Sequence, residues 1–479
     1  MTHEQLLAML PFMLLASASI IIILMIAARL SHFAIQVAGF LLLCLTVLAM
    51  LYVRDILPQQ IMPLFIVDGF AALFTGVIIF SVGVVGFFSY IYFEEREENP
   101  KEYYILMFLA TLGAAVLTIS RHFVSFFIGL EILSVSLYAL IAYLRNRNNA
   151  IEAGVKYLIL AALTSAFLLL GMALFYMDTG QLEFNAIGEK LSGNSAGILY
   201  KMGIALMVVA IGFKLALVPF HLWAADVYQG APSPVTSFIA TASKAGVFAV
   251  LMRFSLATNM QASPFLMYVF SGIAIASMVI GNILALRQQN IKRLLAYSSI
   301  AHFGYLIVAF LPGSTEGIQA SIFYLFAYSI TILAAFGIVT MLSTRMKDAE
   351  DLNIYRGLFW RQPLMAAVLA VALFSLAGIP LTAGFFAKFV VLMSGVHSAL
   401  WLPVIVLAAT SVIGLYYYLR IISTLFAQSP AVEAQHKPLH PFFYFASYAT
   451  LFALMVLICA LGIFPGPAME GIREFLMIR

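Results

Sequence analysis

The chain has 479 residues, 63% hydrophobic and only 10% charged, with a formal net charge of +4 and a mean hydropathy of +1.04. A soluble domain carries about 25% charged residues, so this composition excludes one and points to an integral membrane protein with many spans. No basic patch suits a nucleic acid, and the two cysteines, Cys44 and Cys459, sit alone inside apolar runs, which argues against a disulfide framework, a zinc site or an iron–sulfur cluster.

Charge clusters and Pro/Gly turns divide the chain into about fourteen apolar spans of roughly 20 residues. They lie near 6–28, 33–53, 69–93, 102–120, 123–144, 150–177, 199–224, 233–256, 262–285, 290–312, 317–343, 364–395, 399–425 and 441–464. Helices are expected throughout, because a lipid-exposed backbone must satisfy its own hydrogen bonds; the runs are too long and too uniformly apolar for a membrane β-barrel. The opening MTHEQLLAML has no basic n-region or small-residue cleavage site, so its run reads as a retained span rather than a removed signal peptide. The longest polar intervals are 178–198, 345–363 and 426–440, none large enough for a soluble domain. The interval 345–363 is expected to form an amphipathic lateral segment against another subunit.

Loop charges set an orientation. One alternating set of loops carries fourteen Lys and Arg, from Arg29 to Lys437, and the other carries seven. The positive-inside rule then places both termini outside the cytoplasm. The remaining four of the 25 basic residues, Lys156, Lys214, Lys244 and Lys388, fall within spans, and of the 21 acids only Glu131 lies well inside one.

A lysine or aspartate at a helix centre costs about 2.5–3.5 kcal/mol, and such residues usually line a polar pathway. The competing reading is snorkelling of the amine to the interface. That reading is strongest for Lys156, about two turns from Arg145 and Arg147, and weakest for Lys214 and Lys244. Glu131, in SFFIGLEILSVSL, is too short to snorkel; a structural ion pair with a lysine is its alternative. Burial favours a neutral amine, while a nearby carboxylate restores the charge. Lysines spaced through a membrane with water between them can therefore form a proton relay. His221 and His302 could add steps because a histidine's unperturbed pKa is near neutrality, although a lone membrane histidine is equally often a packing residue. Ser298, Ser299 and Tyr305 could carry waters, a weaker signal because such groups are common between helices.

Pro219 in LALVPFHLW and Pro380 in SLAGIPLTAGFFAKF should each interrupt a span. The alternative is a simple kink. Each break has a lysine beside it, Lys214 and Lys388, and paired broken helices mark a transporter's pathway. The expected organisation is an N-terminal part (1–101), a five-helix unit (102–256), a second, inverted five-helix unit (257–425), and a final helix with tail (426–479). The correspondence between units is incomplete: tyrosines stand where the second unit would repeat Lys156 and Lys244.

Five stretches, GLEILSVSLYALIAY, EAGVKYLILAALTSAFLLLGMAL, GFKLALVPFHLWAADVYQGAPSPVTSFIATASKAGVF, NIKRLLAYSSIAHFGYL and SLAGIPLTAGFFAKF, closely resemble the antiporter-like membrane subunits of respiratory complex I. The resemblance runs from VDGFA at 67–71 to IGLYYYLR at 413–420 and is nearest to the N-type branch of the bacterial NADH:quinone oxidoreductases. The M-type sister carries glutamate where this chain has Lys388, and the chain is too short for the lateral helix of the L-type. The resemblance implies an all-α protein of fourteen spans with two inverted five-helix repeats and one proton channel. It maps the relay onto Glu131, Lys156, Lys214, Lys244, His302 and Lys388. In it the glutamate couples electrostatically to Lys214, Lys244 passes the proton centrally, and Lys388 belongs to the exit half-channel.

The implied function is proton translocation driven by electron transfer in partner subunits. No G-x-G-x-x-G after a strand, P-loop or cysteine cluster offers a site for NADH, ATP, flavin or Fe–S. The resemblance therefore implies that NADH, FMN, Fe–S clusters and quinone are bound by partner subunits, with no cofactor or metal on this chain. It implies an M-type neighbour, small K/J/A-type subunits, and the bacterial inner membrane with both termini periplasmic. Two rivals stand: an Mrp-type cation/proton antiporter subunit, and a structural subunit whose buried charges only fix helix register.

Overall fold

In a computed structural model of the chain, residues 2–94, 96, 100–193, 197–428 and 441–477 are described. Thirteen helices among them are long and apolar enough to cross a membrane. Two shorter apolar helices, Pro363–Ala377 and Ala383–His397, stand where a fourteenth span was expected. Most of the interval 426–440, with Lys437, lies outside the described residues, as does Arg479.

Both prolines mark broken helices. One runs Ile198–Leu215 and resumes as Leu222–Gly230; the other stops at Ala377 and resumes at Ala383. Each first half ends on a residue in the left-handed region, Ala216 (φ 60°) and Gly378 (φ 85°). A left-handed residue just past the last turn is a common helix stop.

Three departures from the sequence expectations stand out. A two-stranded antiparallel hairpin, Gln59–Ile61 with Phe65–Val67, pairs Gln59 with Val67. Pro58 and Pro63 flank its first strand and turn, where helix is disfavoured. The 345–363 interval, expected as an amphipathic lateral segment, carries much of its length against this chain itself. It folds back on the chain through two short turns, Leu352–Tyr355 and Leu358–Arg361, burying Tyr355 and Asp348 while Trp360 stays exposed. A further helix, Gly466–Met477, follows the last span.

Burial sorts the spans into a centre and a periphery. The most apolar 18 residues of Ser233–Ala257 are 100% buried, those of Thr315–Leu342 94% and of Ile291–Phe310 89%, whereas in the first, second, sixth and last spans the share is 28–39%. Polar side chains in the buried stretches of these three helices must therefore find partners inside the protein. The Ser233–Ala257 span contains a π-helical stretch, Ile239–Ser243, immediately before Lys244. It also packs very closely: a Cβ on Gly246 would lie 2.6 Å from the Ala114 carbonyl oxygen and 3.0 Å from its Cα. Gly246→Ala is thus expected to push the Lys244 helix away from Glu102–Ile119. Overpacking of this kind costs about 1–3 kcal/mol, so the variant should lower the amount of assembled protein on native gels.

The C-terminal end of the same span is fixed by Arg253. Its guanidinium donates to both carboxylate oxygens of Asp68 at 2.8 Å and to the Thr118 carbonyl, and its plane lies 4.7 Å from the Phe70 ring centre. A two-pronged Arg–carboxylate pair adds direction as well as energy.

Candidate functional site: a buried row of lysines, tyrosines and histidine

Lys214 sits in the last turn of Ile198–Leu215, 5% exposed. Its Nζ donates to Ser134 Oγ at 2.7 Å and to Tyr157 OH at 3.4 Å. Glu131 lies one turn before Ser134 on the Phe123–Ile141 helix, is half-buried, and accepts from Ser165 Oγ at 2.5 Å. Among the described residues Glu131 and Lys214 do not form a direct ion pair: Glu131 accepts from Ser165, and Lys214 donates to Ser134. That disfavours the reading of Glu131 as a structural salt-bridge partner.

From Lys214 an aromatic file leads toward the centre. Tyr157 packs on Trp223 at 5.0 Å, and Trp223 on Tyr228 at 6.5 Å. Trp223 is itself fixed by a 2.8 Å bond from its Nε1 to the Phe213 carbonyl. This bond spans the break and ties the second half-helix back to the turn that carries Lys214. His221, 8% exposed at the start of that half-helix, has a buried Nδ1 without a hydrogen-bond partner.

Lys244 is 1% exposed and donates to Ser299 Oγ at 2.7 Å, with Nζ 4.3 Å from the Phe303 ring centre. Tyr328 OH also donates to Ser299, at 2.7 Å. These two donors occupy both lone pairs of the hydroxyl, which leaves its own proton directed at Tyr228 OH, 3.5 Å away. Ser299 is therefore a three-way junction beside the central lysine.

The next residues continue the row. Ser298 hydrogen-bonds Tyr418, whose OH lies 3.2 Å from His302 Nε2, while His302 Nδ1 lies 2.7 Å from Tyr324 OH. Both ring nitrogens of the histidine are thereby occupied, and each tautomer has one donor and one acceptor contact. The His302 ring stands 5.4 Å from that of Tyr305, which bonds Asn282 at 2.9 Å. Lys388 Nζ lies 5.2 Å from the Tyr305 ring centre and donates to the carbonyls of Leu376 and Ala377 at 2.9 and 3.0 Å. These carbonyls lack intrahelical partners because the helix stops at Gly378, and a cation at a helix C-terminus is favoured there. The hydroxyls named as water carriers, Ser298, Ser299 and Tyr305, thus all stand in the row.

Lys156 is placed apart. Its side chain is 43% exposed, and Nζ pairs with Glu152 at 2.7 Å and Asp226 at 2.9 Å. Asp226 also accepts from Arg293 at 2.7 Å, and these groups line an open pocket of about 220 Å³. This is the snorkelled arrangement, with counter-ions supplied. Sequence reasoning missed Asp226 because the apolar run hides that the chain re-enters after Pro219 as a separate short helix; an acid five residues past His221 was the available signal. No group of three or more metal-ligating side chains occurs among the described residues.

A profile of the family described as "NADH:quinone oxidoreductase/Mrp antiporter, TM" matches residues 120–414, which include all seven candidate relay residues. The chain belongs to this family of membrane-spanning subunits. It is 41% identical to the NADH-quinone oxidoreductase subunit N of Ectopseudomonas mendocina (strain ymp), over the whole of this chain and 98% of that protein. Among solved structures it is similar to a chain of the respiratory complex I of Thermus thermophilus, with 33% identity and a TM-score of 0.82 over 96% of this chain and 98% of that one. The Mrp complex of Dietzia sp. DQ12-45-1b shares the fold, with a TM-score of 0.87 at 21% identity over 99% of this chain and 97% of that one.

Proposed function

We propose that the chain is the N-type proton-translocating subunit of a bacterial NADH:quinone oxidoreductase, a member of that complex's membrane arm. The observation that carries this reading is the buried row of Lys214, Lys244, His302 and Lys388, with hydroxyls and aromatic rings between them, running from one broken helix to the other. Hydroxyls that can both donate and accept touch Lys214, Lys244 and His302, and ring contacts span the gaps between Lys214 and Lys244 and between His302 and Lys388. Lys214 takes up a proton beside Ser134 and the half-buried Glu131. Lys244 carries it across the centre through Ser299, and Lys388 holds it at the exit. Lys156, with Asp226, sits at the basic-loop mouth, and His221 is a side step next to the first break.

The units 102–256 and 257–425 are read as the two inverted repeats, following 1–101 and preceding 426–479. NADH, FMN, Fe–S clusters and quinone are assigned to partner subunits, and the redox energy comes from there. The partners are an M-type neighbour and small K/J/A-type subunits within the bacterial inner membrane, with both termini periplasmic. The Mrp-type antiporter is the second reading, favoured by the shared fold. It predicts cation-for-proton exchange in vesicles without an electron donor.

The test is NADH-driven proton pumping in membrane vesicles carrying Lys214→Ala, with assembly followed on native gels. The complex is expected to assemble while pumping and NADH:quinone activity fall about tenfold or more, as for loss of a group that moves protons. Intact pumping in the assembled variant would remove Lys214 from the relay.

A further inference from the structure

Asp348 lies in the loop after Thr315–Leu342 and is 4% exposed, with its side chain at 1%. The carboxylate is acceptor-only, and four donors from four separate segments fill it. Lys292 Nζ and Ser233 Oγ donate to Oδ2 at 2.8 Å each, and Arg147 Nη1 and Tyr92 OH donate to Oδ1 at 3.0 and 2.6 Å. Burial alone would raise this carboxyl, yet the Lys292 ammonium, the hydrogen bonds from Lys292 and Tyr92, and the Arg147 guanidinium hold it well below the usual carboxylate range. The loop does not drift around this contact. Ala349 N donates to Ser343 Oγ at 3.0 Å and Tyr355 OH to the Ala349 carbonyl at 2.7 Å.

Two of the four donors lead to the central lysine. Ser233 opens the Ser233–Ala257 span that carries Lys244. Lys292 stands seven residues, two helical turns, before Ser299, so the two share a face of Ile291–Phe310. Lys292 also donates to the Ala231 carbonyl at 2.7 Å, holding the turn that enters the span. One carboxylate oxygen therefore fixes the relative height of the two helices between which the 2.7 Å Lys244–Ser299 contact is made. At the opposite end Arg253 and Asp68 pin the Lys244 helix again, so neither end is free to slide.

We propose that Asp348 is a positioning residue for the central proton step: shared between Ser233 and Lys292, it sets the register that places the Lys244 amine on Ser299. This rests on the reading of Lys244 as a proton carrier. Release of the clamp moves the amine relative to the hydroxyl and changes its hydration, without removing any group of the row.

The test uses the whole complex in vesicles, comparing Ser233→Ala, Asp348→Asn and Lys244→Met. Pumping is normalised to assembled complex and recorded against pH. Ser233→Ala removes one donor and leaves both cations paired; it is expected to assemble normally, to pump about threefold more slowly, as for one lost hydrogen bond, and to shift the pH midpoint of pumping by about half a unit or more. Asp348→Asn should show the same shift, larger, in whatever fraction assembles. If Asp348→Asn does not assemble, Ser233→Ala decides alone. A purely structural Asp348 predicts less assembled complex with an unchanged rate per complex and an unchanged midpoint, and that result overturns the proposal. A Lys244→Met complex that pumps normally sinks the carrier reading itself, whereas a silent Lys244→Met beside unaltered Ser233→Ala and Asp348→Asn complexes sinks only the positioning role.

Discussion

Lys244→Met is expected to give an assembled complex in which NADH-driven pumping falls by about two orders of magnitude or more, the lower end of the range for loss of a positioned proton-transfer group. Methionine keeps the length and volume of the lysine stem, and the span around it is wholly buried. Removing an ammonium with no carboxylate partner costs the fold little, because exchanging buried charge for apolar bulk is often neutral or stabilising. The loss is therefore expected in pumping and not in assembly. Lys244→Arg separates the two accounts of the charge. A guanidinium keeps the positive charge but does not release its proton in proteins. If Lys244 only fixes helix register, arginine should largely rescue; if it carries protons, arginine should fail almost as fully as methionine. Pumping and NADH:quinone turnover, both per assembled complex, read this directly.

Gly378→Ala is the second change with a large expected effect. Gly378 has φ 85°, where an L side chain is strained, at a cost of about 1–2 kcal/mol. A Cβ there would also lie 3.0 Å from Lys388 Cδ and 3.3 Å from its Nζ. The added methyl thus presses on the amine that occupies the broken helix end. Pumping per assembled complex is expected to fall about tenfold, since about 1.4 kcal/mol corresponds to a factor of ten. Gly272→Ala is the control: no atom lies within 4 Å of the added Cβ, and pumping should stay as in the parent protein. Equal losses in the two variants would remove Gly378 from any special role.

Much of this was legible from the chain alone because the membrane makes charge conspicuous. Lys214, Lys244 and Lys388 stand out of apolar runs, and Pro219 and Pro380 betray the breaks beside them. Position along the run also separated Lys156, the lysine nearest a basic loop, from the others, and its amine is indeed paired at the surface of the chain. What sequence could not supply was pairing across helices. Ser299 is one hydroxyl among many until Lys244, Tyr328 and Tyr228 converge on it from three helices. Asp348 reads as one loop acid in RMKDAED, and nothing local says that it is nearly sealed from solvent beneath four donors. The Glu131–Lys214 coupling looks direct on paper, whereas their separate serine partners, Ser165 and Ser134, emerge only from the structure.

If Lys388 holds the departing proton as proposed, the way it is held has a consequence for how that proton leaves. Its amine stands in for the missing turn of helix, serving the Leu376 and Ala377 carbonyls that no backbone amide reaches. Should the amine swing away, two acceptors are stranded in apolar surroundings, at about 1–3 kcal/mol each. Water is the one replacement small enough to follow. Departure of the lysine and wetting of the helix end are then a single exchange, like a stopper that lets liquid in only as it is drawn. On that reading a helix end without water keeps the ammonium seated, and an arriving water both frees it and becomes the first acceptor on the way out.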